Sequence, residues 1–128
     1  MRIVSWNCNM GFEKKRDVVM SLQPDILVLQ ECSAKDIANT HAPFKHWVGS
    51  NTQKGLAIIG FASYKYTIDR SYTQEWPWFL PVRVEDVPLH ILGLCERPPP
   101  PLCPCHSSSR RSLCPVFIRA THDRHWRL

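Results

Sequence analysis

The sequence predicts an α/β domain that opens with a β-α-β unit and gives way, near Cys95, to a tail of different composition. Three observations predict it. Two short apolar stretches, Arg2 to Trp6 and "ILVL" at 26–29, flank an amphipathic segment, as parallel strands flank a crossover helix. Each stretch ends abruptly in a polar residue, Asn7 in the first and Glu31 in the second. Seven of the eleven prolines (88, 98, 99, 100, 101, 104, 115) follow Val87.

The first stretch has the β-branched and apolar character of a strand, and Asn7 to Gly11 close it with turn-favouring residues. A helix is expected from about Phe12 to Leu22. Phe12, Val19 and Leu22 fall on one face, Val18 and Met20 flank it, and Glu13, Lys14, Lys15, Arg16 and Asp17 supply a solvated side. Gln23-Pro24 stops it, because the residue before a proline is pushed out of the helical region. Asp25 then opens the continuous run "ILVL", the pattern of a strand buried on both faces. Two parallel strands joined by one helix point their carboxyl ends the same way, the edge of an α/β sheet where ligands bind. Asn7 and Glu31 are therefore expected to come together. An amide oxygen and a carboxylate are hard donors suited to Mg²⁺, although the spacing taken alone favours a turn-forming Asn7 and a Glu31 that merely ends a strand.

Length and charge bound the alternatives. A chain of 128 residues with 44% hydrophobic residues is one domain's worth. Residues 1–95 carry ten basic against nine acidic side chains, net +1, and residues 96–128 carry six against two, net +4; together they make the total of +5. All six basic residues of the tail are Arg. Such a charge suits an anionic partner and says nothing of fold. No apolar run reaches the length needed to cross a bilayer, and "MRIVSW" lacks the features of a secretory signal, so the chain reads as soluble and intracellular, with a cytoplasmic location. Four of the six cysteines (Cys95, Cys103, Cys105, Cys114) lie at or beyond the junction, which is not the framework of a small disulfide-rich secreted protein; reduced thiols are expected.

The segment "MRIVSWNCNMGFEKKRDVVMSLQPDILVLQECS" resembles the opening of the endonuclease/exonuclease/phosphatase superfamily, the deoxyribonuclease-I-like fold. In that family a strand ending Trp-Asn or Phe-Asn, a helix, and "Pro-Asp-Ile-(x)-Leu-Gln-Glu" recur in this order. The likeness continues through "KGLAIIGFAS" (54–63), similar to the family's next strand, and through "FLPVRV" (79–84) and "LHILGLC" (89–95), similar to a later antiparallel pair. It covers roughly residues 1–95. The resemblance implies a four-layered α/β sandwich, here partial, and metal-dependent hydrolysis of phosphodiester or phosphomonoester bonds. It further implies that Glu31 binds a catalytic Mg²⁺ or Mn²⁺, that Asn7 helps position metal and phosphate, and that the partner is a phosphate-containing substrate, nucleic acid among the candidates.

The same family needs a "Gly-Asp-(x)-Asn" strand end and a closing "Asp-His" pair further along. Residues 96–128 contain no Gly, no Asn and no Asp-His; His122-Asp123 stands in the reverse order, with His125 two residues beyond. The stretch is rich in Pro, Ser, Arg and Cys, a composition that buries little apolar surface, so it is expected to be a disordered tail without strands. An out-of-frame or alternatively spliced end replacing the family's second half would explain the change. Cys103, Cys105, His106, Cys114, His122 and His125 are enough ligands for Zn²⁺, but their spacing fits no structural zinc template. The arginines also fit phosphate contacts, without an aromatic and basic alternation to specify a nucleic-acid site.

Other residues read as structure. Cys8 and Cys32 are expected to fill core, Trp76 and Trp78 to pack rather than stack on a base, and Ser33 with Asp36 to cap a short helix ending near Pro43. His41, His46 and His90 receive no function. Two classes of function remain: a truncated Mg²⁺-dependent phosphoesterase or nuclease with impaired or no catalysis, or a non-catalytic fragment acting as a protein-interaction or nucleic-acid-binding module. An incomplete sandwich would expose a sheet face, through which self-association is expected.

Overall fold

In the computed structural model, residues 1–69 and 78–95 are described, together with the backbone of a strand at 116–120. Strand β1 (Ile3–Asn7), helix α1 (Phe12–Met20) and strand β2 (Ile26–Cys32) form the expected unit, with β1 and β2 parallel neighbours. Helix α1 buries Phe12 and Val19. It stops two residues earlier than the apolar spacing suggests, and Leu22, assigned to the buried face, is 48% exposed. The cause is local. The amides of Ser21, Leu22 and Gln23 close the last turn on Asp17, Val19 and Met20, and Gln23 enters the left-handed region at φ 49° just before Pro24.

Short helix α2 (Ala34–Ala38) follows, capped as expected by Ser33, whose hydroxyl accepts the Asp36 amide at 3.1 Å. It ends at Ala38, well before Pro43. Strands β3 (Phe44–Asn51) and β4 (Lys54–Gly60) then form a hairpin, and β4 also pairs antiparallel with β2, giving the sheet order β1-β2-β4-β3. A second sheet contains β5 (Tyr66–Ile68), β6 (Phe79–Val84), β7 (Leu89–Leu94) and β8 (Val116–Ala120), in sequence order and antiparallel throughout. The expected β6–β7 pair is present. Strands β3, β5 and β8 were not read from the sequence; β8 lies within the stretch expected to be a strandless tail, and it pairs with β7 from Leu89↔Ala120 to Gly93↔Val116. Residues 96–115 and 121–128 lie outside the described residues, so the expectation of disorder there goes no further.

All seven residues of β2 are buried, which explains the unbroken "ILVL": the strand has apolar layers on both sides. Ile26 and Val28, with Leu56 and Ile58 of β4, face the second sheet and pack with Leu80, Val82, Val84, Leu89 and Ile91. Leu27 and Leu29, with Ala57 and Ile59, face the helices and pack with Phe12, Val19 and Ile37. At 25 cal/mol per Å², each fully buried Leu or Ile contributes roughly 1.5–3 kcal/mol to holding these layers together. The sheets approach closely enough that a Cβ at Gly93 would stand 3.1 Å from Leu56 Cδ2. The layers run helices, sheet, sheet. Among the described residues no helix covers the outer face of the second sheet. Trp78 packs against the inter-sheet core, as expected of a structural aromatic, whereas Trp76 is outside the described residues.

Candidate functional site

The carboxyl ends of β1 and β2 lie side by side, with Asn7 opposite Gln30 in the parallel register. Glu31 is the next residue, and the ladder with β4 breaks there. Gln30 pairs with Leu56 and Cys32 with Gly55, so two steps along β2 match one along β4 and Glu31 is the extra residue of a β-bulge. It takes φ 57°, left-handed backbone that an L side chain adopts at a cost of roughly 1–2 kcal/mol. A bulge re-aims one side chain while the flanking strand stays paired. The residue so re-aimed is the sequence-predicted carboxylate.

Left-handed backbone recurs directly across from it. Among the described residues four non-glycines have positive φ: Gln23 closes α1, and the other three, Asn9 (45°), Met10 (59°) and Glu31, stand at this sheet edge. The Met10 amide donates to the Glu31 carbonyl at 2.8 Å and the Cys8 amide to the Gln30 carbonyl at 3.0 Å, so the loop after β1 is stitched to the bulge. The Asn7 side chain contributes to the loop: its Oδ1 accepts the Asn9 amide at 3.0 Å, an Asx-type turn. Asn7 and Glu31 thus share an edge, with the Asn7 amide oxygen engaged by its own turn.

Burial is high around the carboxylate. The Glu31 side chain is 11% exposed, and its Oε1 lies 3.1 Å from Lys54 Nζ, an ion pair across the end of the hairpin. Lys54 begins β4 beside the β3–β4 turn, where Asn51 Oδ1 accepts the amides of Gln53 (3.0 Å) and Lys54 (3.1 Å). The hairpin tip is tied down by Trp47, whose Nε1 donates to the Cys32 carbonyl at 3.1 Å. Its indole occupies the space a side chain at Gly55 would need: a Cβ there would fall 2.4 Å from the ring and from the Val48 carbonyl oxygen. Glycine at 55 therefore lets the indole lie across the hairpin.

Cys8 and Cys32 are buried core thiols, as expected. Cys8 Sγ donates to the carbonyls of Gln30 and Glu31, both at 3.2 Å, which anchors the bulge again from below. Burial pushes both thiols above the ordinary cysteine range, and for Cys32 the neighbouring Cys8 adds to the shift. They stay protonated and serve packing. Gln30, fully buried, spends its amide on Ser5 Oγ at 3.2 Å.

Among the described residues no three His, Cys, Asp or Glu side chains stand together. A hard divalent cation is compatible with the site on the chemistry of its donors: one carboxylate, held nearly out of water and already matched with a positive group, plus a neighbouring amide oxygen, where Mg²⁺ commonly takes one or two carboxylates and completes its shell with water and phosphate. His122, Asp123, His125 and the tail ligands Cys103, Cys105, His106 and Cys114 lie outside the described residues. Sequence reasoning missed Lys54 and Trp47. "NTQK" is a recognisable turn, but only the hairpin register brings its lysine to Glu31. No family model, no curated protein and no solved structure matches the chain.

Proposed function

We propose that the chain derives from a Mg²⁺- or Mn²⁺-dependent phosphoesterase of the endonuclease/exonuclease/phosphatase type, a nuclease, and that it retains the metal end of the site with impaired or no catalysis. The observation that carries this reading is Glu31: a buried carboxylate placed on a left-handed bulge at the carboxyl end of a central strand. Strained non-glycine backbone of this kind concentrates at functional sites, because a surrounding structure must hold it in place. Glu31 would bind the cation and Asn7 would orient groups beside it. Bound there, the cation would supply Lewis-acid polarisation of a phosphoryl oxygen. The buried flank of the site, from Cys8 to Gln30, keeps the carboxylate in position and limits its hydration. The partial four-layered sandwich belongs to the same proposal, with residues 1–95 as its N-terminal portion.

The test is cleavage of labelled single- and double-stranded oligonucleotides with Mg²⁺, alongside Mn²⁺ binding, for the wild-type chain and Glu31→Gln. The expected result is Mn²⁺ binding that Glu31→Gln abolishes, with no cleavage above the variant. Absence of Mn²⁺ binding would overturn the metal reading. Cleavage that needs Mg²⁺ and disappears in Glu31→Gln would overturn the loss of catalysis and show that other residues of the chain complete the site.

A second reading, an interaction module, rests on β1. Among the described residues this strand ends its sheet. The Arg2 carbonyl and the Cys8 amide bond toward β2, so by strand alternation the amides and carbonyls of Ile3, Ser5 and Asn7 point away from it. "IVSWN" carries no proline, glycine or charge to protect that edge, and a groove of about 340 Å³ lined by Val4, Trp6, Lys15, Val18 and Leu22 runs beside it. An antiparallel copy of β1 centred on Ser5 would match these groups two-fold. Light scattering would then give a dimer for the wild type and for Ser5→Ala, which loses only the hydroxyl that Gln30 bonds, and a monomer for Ser5→Pro, which loses an outward amide as well; a wild-type monomer refutes it.

A further inference from the structure

The ammonium of Lys54 occupies the place at Glu31 where a cation is wanted, and several interactions put it there. The turn at Asn51 fixes the Lys54 backbone, Gly55 admits the Trp47 indole, and Trp47 bonds to the Cys32 carbonyl one residue from the bulge. The hairpin tip is therefore locked against the end of β2. The two partners differ in exposure: the Glu31 side chain is 11% exposed, the Lys54 side chain 36%. One end of the pair is held, and the other sits on a flexible four-carbon stem with a route to solvent.

We propose that Lys54 is a built-in counter-ion of the metal site, which keeps the Glu31 carboxylate neutralised in the metal-free protein and must be displaced for a divalent cation to bind. The inference rests on the metal reading of Glu31 and adds a determinant of affinity to it. Three physical points support it. A carboxylate withdrawn from water without a cation is costly, so the bulge needs a partner whenever metal is absent. An ammonium 3.1 Å from Oε1 and a divalent cation on the same carboxylate repel each other, so the two states exclude one another. The partly exposed stem allows the exchange without moving the hairpin. Lys54 thus lowers metal affinity, and on leaving Glu31 it becomes a free cation at the mouth of the site, placed to meet an anionic phosphate oxygen.

Mn²⁺ binding measured by the electron paramagnetic resonance signal of the free ion tests this without reference to activity. Four full-length proteins are compared: wild type, Lys54→Met, Lys54→Arg and Glu31→Gln, each first shown to be folded by circular dichroism, with Lys54→Gln replacing Lys54→Met if the latter does not fold. Removing the ammonium is expected to tighten Mn²⁺ binding about tenfold, within the usual range of coupling between two ligands of one site. Lys54→Arg, which keeps the charge, is expected to bind as weakly as the wild type, a rescue that a merely structural role would not require. Unchanged or weaker binding in Lys54→Met, while Glu31→Gln abolishes binding, overturns the counter-ion role and leaves the metal reading standing. Equal Mn²⁺ binding in the wild type and Glu31→Gln overturns both.

Discussion

Replacing Glu31 by glycine and by alanine separates the strain in the bulge from the charge of the side chain. Both variants lose the ion pair with Lys54 and the carboxylate, so those terms cancel between them. What differs is the response of the backbone to φ 57°. Alanine retains the left-handed cost of roughly 1–2 kcal/mol, which glycine escapes. Glycine in turn gives up roughly 0.5–1 kcal/mol through the greater freedom of its unfolded chain. The difference leaves Glu31→Gly more stable than Glu31→Ala by about 0.8 kcal/mol, the reverse of the order at an ordinary strand position. In urea, with a slope of about 2 kcal/mol/M, the midpoints should differ by about 0.4 M. Equal midpoints, or a higher one for alanine, would mean that residue 31 does not hold the left-handed conformation, and the bulge would no longer account for where the carboxylate points.

Two more predictions concern the support of the site and its response to pH. Gly55→Ala sets a Cβ 2.4 Å from the Trp47 ring and the Val48 carbonyl oxygen, so a loss of about 1–3 kcal/mol and a lower Tm are expected; an unchanged Tm would show that the hairpin adapts freely. His46 lies half-buried on β3, and burial holds its pKa below the usual histidine value. The folded state therefore binds fewer protons than the unfolded chain, and this contribution is complete above the unfolded pKa of about 6.5 and declines as pH falls through the lowered folded value. Burial and Arg83 act on His90 in the same direction. Urea midpoints should fall between pH 7.5 and pH 5.5, and His46→Gln should flatten part of that slope; a parallel slope in the variant would refute the assignment.

The β-α-β unit was legible because each boundary had its own chemical mark: apolar runs for the strands, a charged face for α1, Pro24 for the turn and the Ser33 cap for α2. Strand β3 was not, since "FKHWVGSN" mixes charge, imidazole and glycine, as an edge strand with one exposed face can. Strand β8 was hidden for another reason. "VFIRA" has ordinary strand character, but it lies among Pro, Ser, Arg and Cys, and reading the stretch by composition averaged it away. Of the site, Asn7 and Glu31 stood out as polar residues closing apolar runs. The bulge left no mark, because one inserted residue alters pairing without altering residue type. Lys54 resembled any solvated lysine at a strand entrance until the hairpin register placed it.

All four strands of the first sheet lie within residues 3–60, and the strands that cover its inner face begin only after them. A ribosome therefore releases a sheet whose pairing partners are all present while the apolar row Ile26, Val28, Leu56 and Ile58 still lacks its lid. That row remains open to other chains until residues 79–94 have emerged. Slowing translation across residues 61–78 is therefore expected to lengthen this exposure and to lower the yield of folded chain at an unchanged stability of the finished fold.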